Sequence, residues 1–231
     1  MGPDLSHRRR AATFAGYSGD EAAARAAQAD PAPEVRAAGL SALARMGALG
    51  GDDVAGALSD PEVMVRRRGC DLAGRQHASL PVPSAELVGA LARATHDPAP
   101  EVVEAACHAL GEVGYSSDQC DDAALPSGLP VPDRDVAVAA LTAVAAGHRD
   151  PLCREAAVAA LGSVGAPGGL AAVLGALSDK PAVRRRAVVA LAAFEGDEVV
   201  RALRAAARDP DWQVRQVAED LLGERGRPLG S

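Results

Sequence analysis

Apolar positions along the chain recur in short bursts at i, i+4 and i+8, the spacing of one helical face. Each burst is introduced by an Asp-Pro-type turn and a Val-Arg pair. The stretch Asp179–Gly196, DKPAVRRRAVVALAAFEG, shows the pattern in full, and the same order is written elsewhere. Asp30-Pro31 leads to Val35-Arg36, Asp60-Pro61 to Val65-Arg66, and Asp209-Pro210 to Val214-Arg215. Asp97-Pro98 leads to Val102-Val103, and Asp150-Pro151 to Cys153-Arg154. Six copies at a spacing near 30 residues are a repeat architecture.

Aligned without gaps from that Val, the first column reads Val35, Val65, Val102, Cys153, Val183, Val214. The fifth is always small: Gly39, Gly69, Ala106, Ala157, Ala187, Ala218. The ninth is mostly Leu: Leu43, Ala73, Leu110, Leu161, Leu191, Leu222. These columns predict a helix, helix B, with one apolar face and a small residue where a second backbone approaches. Gly47, Gly114, Gly165 and Gly226 are its expected C-terminal stops. A shorter apolar helix, helix A, precedes each Asp: Val54–Leu58, Leu87–Ala94, Val136–Ala146, Leu170–Leu177 and Val199–Ala207. The turn Asp is placed to cap helix B, and Pro suits its first turn. Neither helix buries its apolar face alone, so neighbouring repeats must stack.

Asp-Pro, then Val-Arg, then a small-residue Leu-Gly helix resembles the HEAT repeat, in particular its short HEAT-like (phycobilin-lyase-type) variety, over nearly the whole chain. The resemblance implies an all-α, right-handed α-solenoid of about six helix-turn-helix repeats. It also implies a ladder of turn Asp and helix-B Arg between successive repeats: Asp30, Asp60, Asp97, Asp150, Asp179 and Asp209 with Arg36, Arg66, Arg154, Arg184 and Arg215. Val103 interrupts it in the third repeat, and the Asp-to-Arg spacing shortens in the fourth and fifth.

The expected organisation is a single solenoid over 1–231. Residues 7–17, whose Arg8-Arg9-Arg10-Ala11 matches Arg184-Arg185-Arg186-Ala187, form a capping half-repeat, with Phe14 and Tyr17 packing on the first full repeat. Repeats 1–3 occupy 18–114, an inserted Ser/Asp/Pro/Gly-rich loop 115–132, repeats 4–6 133–226, and a tail 227–231. Ser84 is the expected N-cap after the break at Leu80-Pro81-Val82-Pro83.

Hydrophobic residues make up 48% of the chain but aromatics only 2%, so the core is Ala, Val and Leu, with few large anchors for a small ligand. A net charge of −7 argues against a general polyanion binder. No run near the N-terminus is apolar enough for a signal peptide, and none elsewhere for a membrane span. Met1-Gly2 with Ser6 matches a myristoylation start only formally, since Pro3 and the lack of a second membrane signal weigh against it. A cytoplasmic setting without membrane partners is expected. Cys70, Cys107, Cys120 and Cys153 form no CxxC pair and read as core hydrophobes.

His7, His77, His96, His108 and His148 show no metal-ligand spacing, and neither a metal, a cofactor nor a catalytic set is expected. Three arginine trios, Arg8–Arg10, Arg66–Arg68 and Arg184–Arg186, share the same columns. In HEAT-like solenoids helix B lines the concave face, so Arg67, Arg68, Arg185 and Arg186, with Trp212 at a turn, are the candidate partner contacts. Glu104 and Glu155 lie between them in the same columns. The expected function is a non-catalytic scaffold or adaptor for a protein partner. Two alternatives share the architecture. One is a nucleic-acid-binding protein of the alkylpurine DNA glycosylase type, for which Trp212 with Asp209 or Asp211 is the candidate set. The other is a bilin-lyase-like maturation factor.

Overall fold

The structure is a computed structural model that describes residues 4–80, 84–115 and 130–225, the side chains of Ser84, Glu224 and Arg225 apart. Most of the inserted loop, Cys120, Gly226 and the tail lie outside the described residues, as does the Ser84 cap. Helices α1 (Leu5–Ser18), α3 (Pro33–Met46), α5 (Val63–Gln76), α7 (Pro100–Val113), α9 (Pro151–Val164), α11 (Pro181–Ala190) and α13 (Trp212–Arg225) are the B helices. Between them lie the A helices α2 (Glu21–Ala27), α4 (Gly51–Leu58), α6 (Ser84–Ala94), α8 (Val131–Gly147), α10 (Leu170–Ala176) and α12 (Asp197–Ala206). The described residues hold no strand. Helix α8 begins at Val131, inside the stretch expected to be loop; a proline in its first turn suits that start.

The chain divides into two compact units, Met1–Ala109 and Leu110–Ser231. In the first, α1, α3 and α5 pack side by side, and α2 and α4 cover them. In the second, α9, α11 and α13 form the B layer, with α8, α10 and α12 against it. The first column is buried throughout: Val35, Val65, Val102, Cys153, Val183 and Val214 are at most 2% exposed. The small fifth column marks where helix B meets helix A of its own repeat. A Cβ at Gly39 would lie 2.7 Å from the Ala24 carbonyl oxygen, and one at Gly69 2.9 Å from the Ala57 Cβ.

A second small seam joins successive B helices, and the sequence reading passed over it. A Cβ at Gly16 would lie 2.8 Å from Ala42 Cα, at Gly111 3.0 Å from Ala160 Cα, and at Gly162 2.8 Å from Ala190 Cβ. In each case the tenth column of one helix B faces the eighth column of the next.

The turns differ from expectation in one respect. Asp30, Asp60, Asp97 and Asp209 accept from the backbone N–H two residues on, those of Ala32, Glu62, Ala99 and Asp211. These are Asx turns set ahead of helices that begin at Pro33, Val63, Pro100 and Trp212. Only Asp150, directly before Pro151, caps its helix, through the Leu152 N–H. Of the expected glycine stops, Gly47 and Gly165 adopt the left-handed conformation; Gly114 follows α7 without it.

Candidate functional site

The turn geometry positions the ladder. The carboxylate of each Asx turn keeps its remaining acceptor sites for an arginine of the preceding repeat. In the first unit Arg36 Nε and Nη2 donate to Asp60 at 2.8 and 2.7 Å, and Arg66 to Asp97 at 2.7 and 3.0 Å. In the second, Arg154 grips Asp179 at 2.6 and 2.7 Å, and Arg184 grips Asp209 at 2.8 and 2.7 Å. The third nitrogen, Nη1, turns back to its own repeat: Arg36 donates to the Asp30 and Pro31 carbonyls, and Arg184 to that of Asp179. Each guanidinium therefore ties two turns together with all three of its nitrogens. Charge-assisted bidentate pairs of this kind are the strong members of the hydrogen-bond family.

Three positions depart from the expected pairing. Arg8 makes a first rung that the sequence reading left out, with Nε donating to Asp30 Oδ2 at 2.9 Å. Asp150 lies off the ladder: its carboxylate caps α9 through the Leu152 N–H and meets no arginine side chain among the described residues. Arg154 Nη1 donates to the carbonyls of His148 and Arg149, so His148 holds the place that Asp30 and Asp60 hold relative to their arginines. Arg215 donates through Nη1 to its own turn, at the Asp209 and Pro210 carbonyls. Val103 is fully buried.

The Arg154 and Arg184 guanidiniums hold the carboxyls of Asp179 and Asp209 below the usual carboxylate range, against the opposing push of burial. At Asp60 and Asp97 burial pushes the carboxyl up. Arg36 and Arg66, with the backbone N–H groups of Glu62 and Ala99, outweigh it, so both also lie below that range. A carboxyl depressed on folding adds stability above its unfolded value, and that stability is lost as pH falls below about 4. Asp209→Asn is therefore expected to melt below the parent at pH 7, with the gap closing as pH drops through about 4. A gap constant from pH 7 to the acid limit of folding would show that the rung carries no charge-dependent stability.

A separate clasp joins the A helices of the first unit. Arg25 Nη1 donates to both Asp53 oxygens at 3.2 Å, Nη2 to the Ala48 carbonyl at 3.1 Å, and Gln28 Nε2 to Asp53 Oδ1 at 2.9 Å. Among the described residues no group of His, Cys, Asp and Glu is placed to hold a metal ion. Cys70, Cys107 and Cys153 are buried thiols, and burial pushes Cys70 up to about 12.

The candidate contacts fall in two places. In the first unit Arg67 and Arg68 line an open groove of about 430 Å³ across α1, α3 and α5. Its floor is Ala37, Ala38 and Ser41 of α3; Arg9 of α1 stands on one side, Arg67 and Arg68 of α5 on the other, and Arg45 also lines it. Glu34 and Asp71 are its acidic members. Arg9, Arg45, Arg67 and Arg68 make no ion pair with a described residue. In the second unit the same face is more committed. Arg185 Nη1 donates to Gln213 Oε1 at 2.8 Å, and Arg186 Nη2 to Glu155 Oε1 at 3.3 Å. Arg186 Nε is enclosed without a partner, beside a smaller hollow of about 280 Å³ floored by Ala159, Gly162 and Ala190. Trp212 opens α13 and is 61% exposed.

Phe14 and Tyr17 are not buried against the first full repeat: each is 68% exposed, and Tyr17 meets that repeat through Arg45. Ala12, Ala15 and Gly16 make that contact instead, because the close Gly16–Ala42 approach leaves no room for a ring. Arg45 stacks on the Tyr17 ring, 4.2 Å from its centroid.

Comparison with known proteins gives the class. Residues 138–223 match the family model described as HEAT repeats. YibA of Escherichia coli superposes with a TM-score of 0.61 at 16% identity, over 97% of this chain and 77% of that one. A designed armadillo repeat protein in complex with the peptide (KR)4 gives 0.58 at 16% identity, over 96% and 99%. A second designed armadillo repeat protein, YIII(Dq)4CqI, gives 0.55 at 16% identity, over 87% and 97%. None of the curated proteins matches. The chain thus has the α-helical repeat fold seen in armadillo and HEAT repeat proteins, and residues 138–223 match HEAT repeats in sequence. Among the described residues no helix is long and apolar enough to cross a membrane.

Proposed function

We propose that the chain is a non-catalytic scaffold that holds a protein partner on its helix-B face, and that the groove of the first unit takes an acidic segment of that partner. The observation that carries this reading is the set of four arginines, Arg9, Arg45, Arg67 and Arg68, that line one groove and make no ion pair with a described residue. The ladder arginines Arg36, Arg66, Arg154 and Arg184, by contrast, each grip a carboxylate. Axes of packed helices lie about 8–10 Å apart, so the walls on α1 and α5 stand about 16–20 Å from one another, wide enough for an extended chain or one helix. The alanine floor lets a backbone lie close. Glu34 and Asp71 break the basic field, which suits a peptide of carboxylates better than an unbroken row of phosphates. The designed neighbour holds a basic peptide; the charge here is of the opposite sign and asks for the opposite ligand. Arg185, Arg186 and Trp212 are secondary contacts in this reading, since both arginines are already hydrogen-bonded.

The test is anisotropy of a labelled Asp/Glu hexapeptide at physiological salt, against a Lys/Arg hexapeptide and a DNA duplex. Only the acidic peptide is expected to bind. Arg67→Glu with Arg68→Glu should weaken it at least about tenfold without moving the melting temperature, because exposed charges seldom affect stability by more than about 0.5 kcal/mol. Duplex DNA binding tighter than micromolar and lost in that variant would replace this reading with the nucleic-acid one.

A further inference from the structure

The chain has five aromatic residues, and only Phe194 is buried; Phe14, Tyr17, Tyr115 and Trp212 are all more than half exposed. A core built of Ala, Val and Leu leaves its few rings outside, and two of them stand together on α1. Phe14 and Tyr17, with Ser6, Arg9, Arg10 and Thr13, line a second hollow of about 550 Å³. Arg9 and Thr13 belong to both this hollow and the arginine groove, so the two are continuous around α1. Arg45 reinforces the junction: it lines the groove and stacks on Tyr17. Stacking fixes the plane of its guanidinium and leaves the in-plane N–H groups for a carboxylate.

Exposed aromatics beside arginines have the composition of binding hot spots. We infer that the first unit carries a two-armed peptide site, in which Arg45, Arg67 and Arg68 take the carboxylates of an acidic segment while Phe14 and Tyr17 hold an apolar side chain next to them in the same ligand. This rests on the reading of the groove given above and adds the identity of its ligand: acidic residues flanked by a large apolar one. Charge complementarity selects that occupant. A purely apolar ligand leaves four arginines unmatched, and a continuous polyphosphate meets Glu34 and Asp71.

The experiment uses the full chain and four labelled probes: the acidic hexapeptide alone, the same peptide extended by Leu-Trp at its N-terminus, the same extended at its C-terminus, and a twelve-nucleotide single-stranded thymidine oligomer. One of the two extended peptides is expected to bind about tenfold tighter than the plain one, the increment of one well-buried aromatic contact. Phe14→Ser, which leaves the stack of Arg45 on Tyr17 in place, should erase most of that increment and leave the affinity for the plain peptide unchanged, which also shows that the variant is folded. Equal binding of all three peptides by the parent overturns the two-armed site while the acidic groove stands. Failure of all three overturns both. Tighter binding of the oligomer than of any peptide at about 150 mM salt, abolished in the same variant, makes this a nucleic-acid face and likewise overturns it.

Discussion

Replacing Arg184 by alanine is expected to destabilise the second unit by roughly 1–3 kcal/mol. The substitution removes three charge-assisted hydrogen bonds, two to Asp209 at 2.8 and 2.7 Å and one to the Asp179 carbonyl at 2.8 Å. It also strands a carboxylate: the Asp209 side chain is 11% exposed and keeps only the Asp211 N–H. An exposed ion pair contributes about 0–1 kcal/mol, whereas breaking a fully buried one costs about 3–5 kcal/mol; this pair, enclosed but still touching solvent, falls between. Arg184→Lys should recover little, because a single ammonium cannot bridge both oxygens and the carbonyl at once. Arg185→Ala, which loses one bond to Gln213, is the matched control. Thermal and urea melts decide it. Midpoints for Arg184→Ala and Arg185→Ala that coincide with the parent would show that the ladder is not what holds the repeats in register.

Overfilling the small fifth column should be as damaging. Ala187→Leu adds three carbons at a position with no solvent exposure, between α11 and the helix packed behind it, and is expected to cost on the order of 1–3 kcal/mol. Gly39→Leu should cost at least as much. Even its Cβ would stand 2.7 Å from the Ala24 carbonyl oxygen and 2.9 Å from the Ala27 Cβ, so α2 must move before the rest of the side chain is placed. Urea midpoints at the parental value for both would mean that the A and B helices are not in the close contact described.

The columns that place these residues were legible in the sequence because burial is periodic. Val35, Val65, Val102, Val183 and Val214 recur at fixed offsets, and each is inside. What sequence could not supply was the use made of a polar side chain with two options. An Asp before a Pro can cap a helix or close an Asx turn, and the choice depends on where the first helical residue falls. At Asp150 that residue follows at once; at Asp30, Asp60, Asp97 and Asp209 it comes three residues later. Val103 leaves the third repeat without a ladder arginine, a signal that was available and would have taken Asp150 out of the ladder.

The groove was half legible. Arg67 and Arg68 stood out as the two members of an arginine trio without a ladder role, but Arg9 and Arg45 join them only because α1, α3 and α5 lie side by side. Phe14 and Tyr17 were misread for a general reason: large rings are usually core, but a seam as tight as Gly16–Ala42 excludes them. The Arg25–Asp53 clasp joins residues 28 apart on two short helices, and no local pattern announces it.

The three-pronged grip of each ladder arginine also bears on how such a chain can change over generations. Apolar faces of Ala, Val and Leu are nearly interchangeable and would allow one repeat to slide or tilt on the next. A planar guanidinium that must meet a carboxylate on one edge and its own turn carbonyls on the other accepts a single offset. The repeats that carry Arg36, Arg66 and Arg184 each present the same plug to the successor and the same socket to the predecessor. A duplicated or exchanged copy therefore arrives already aligned, and its surface columns are left free to diverge.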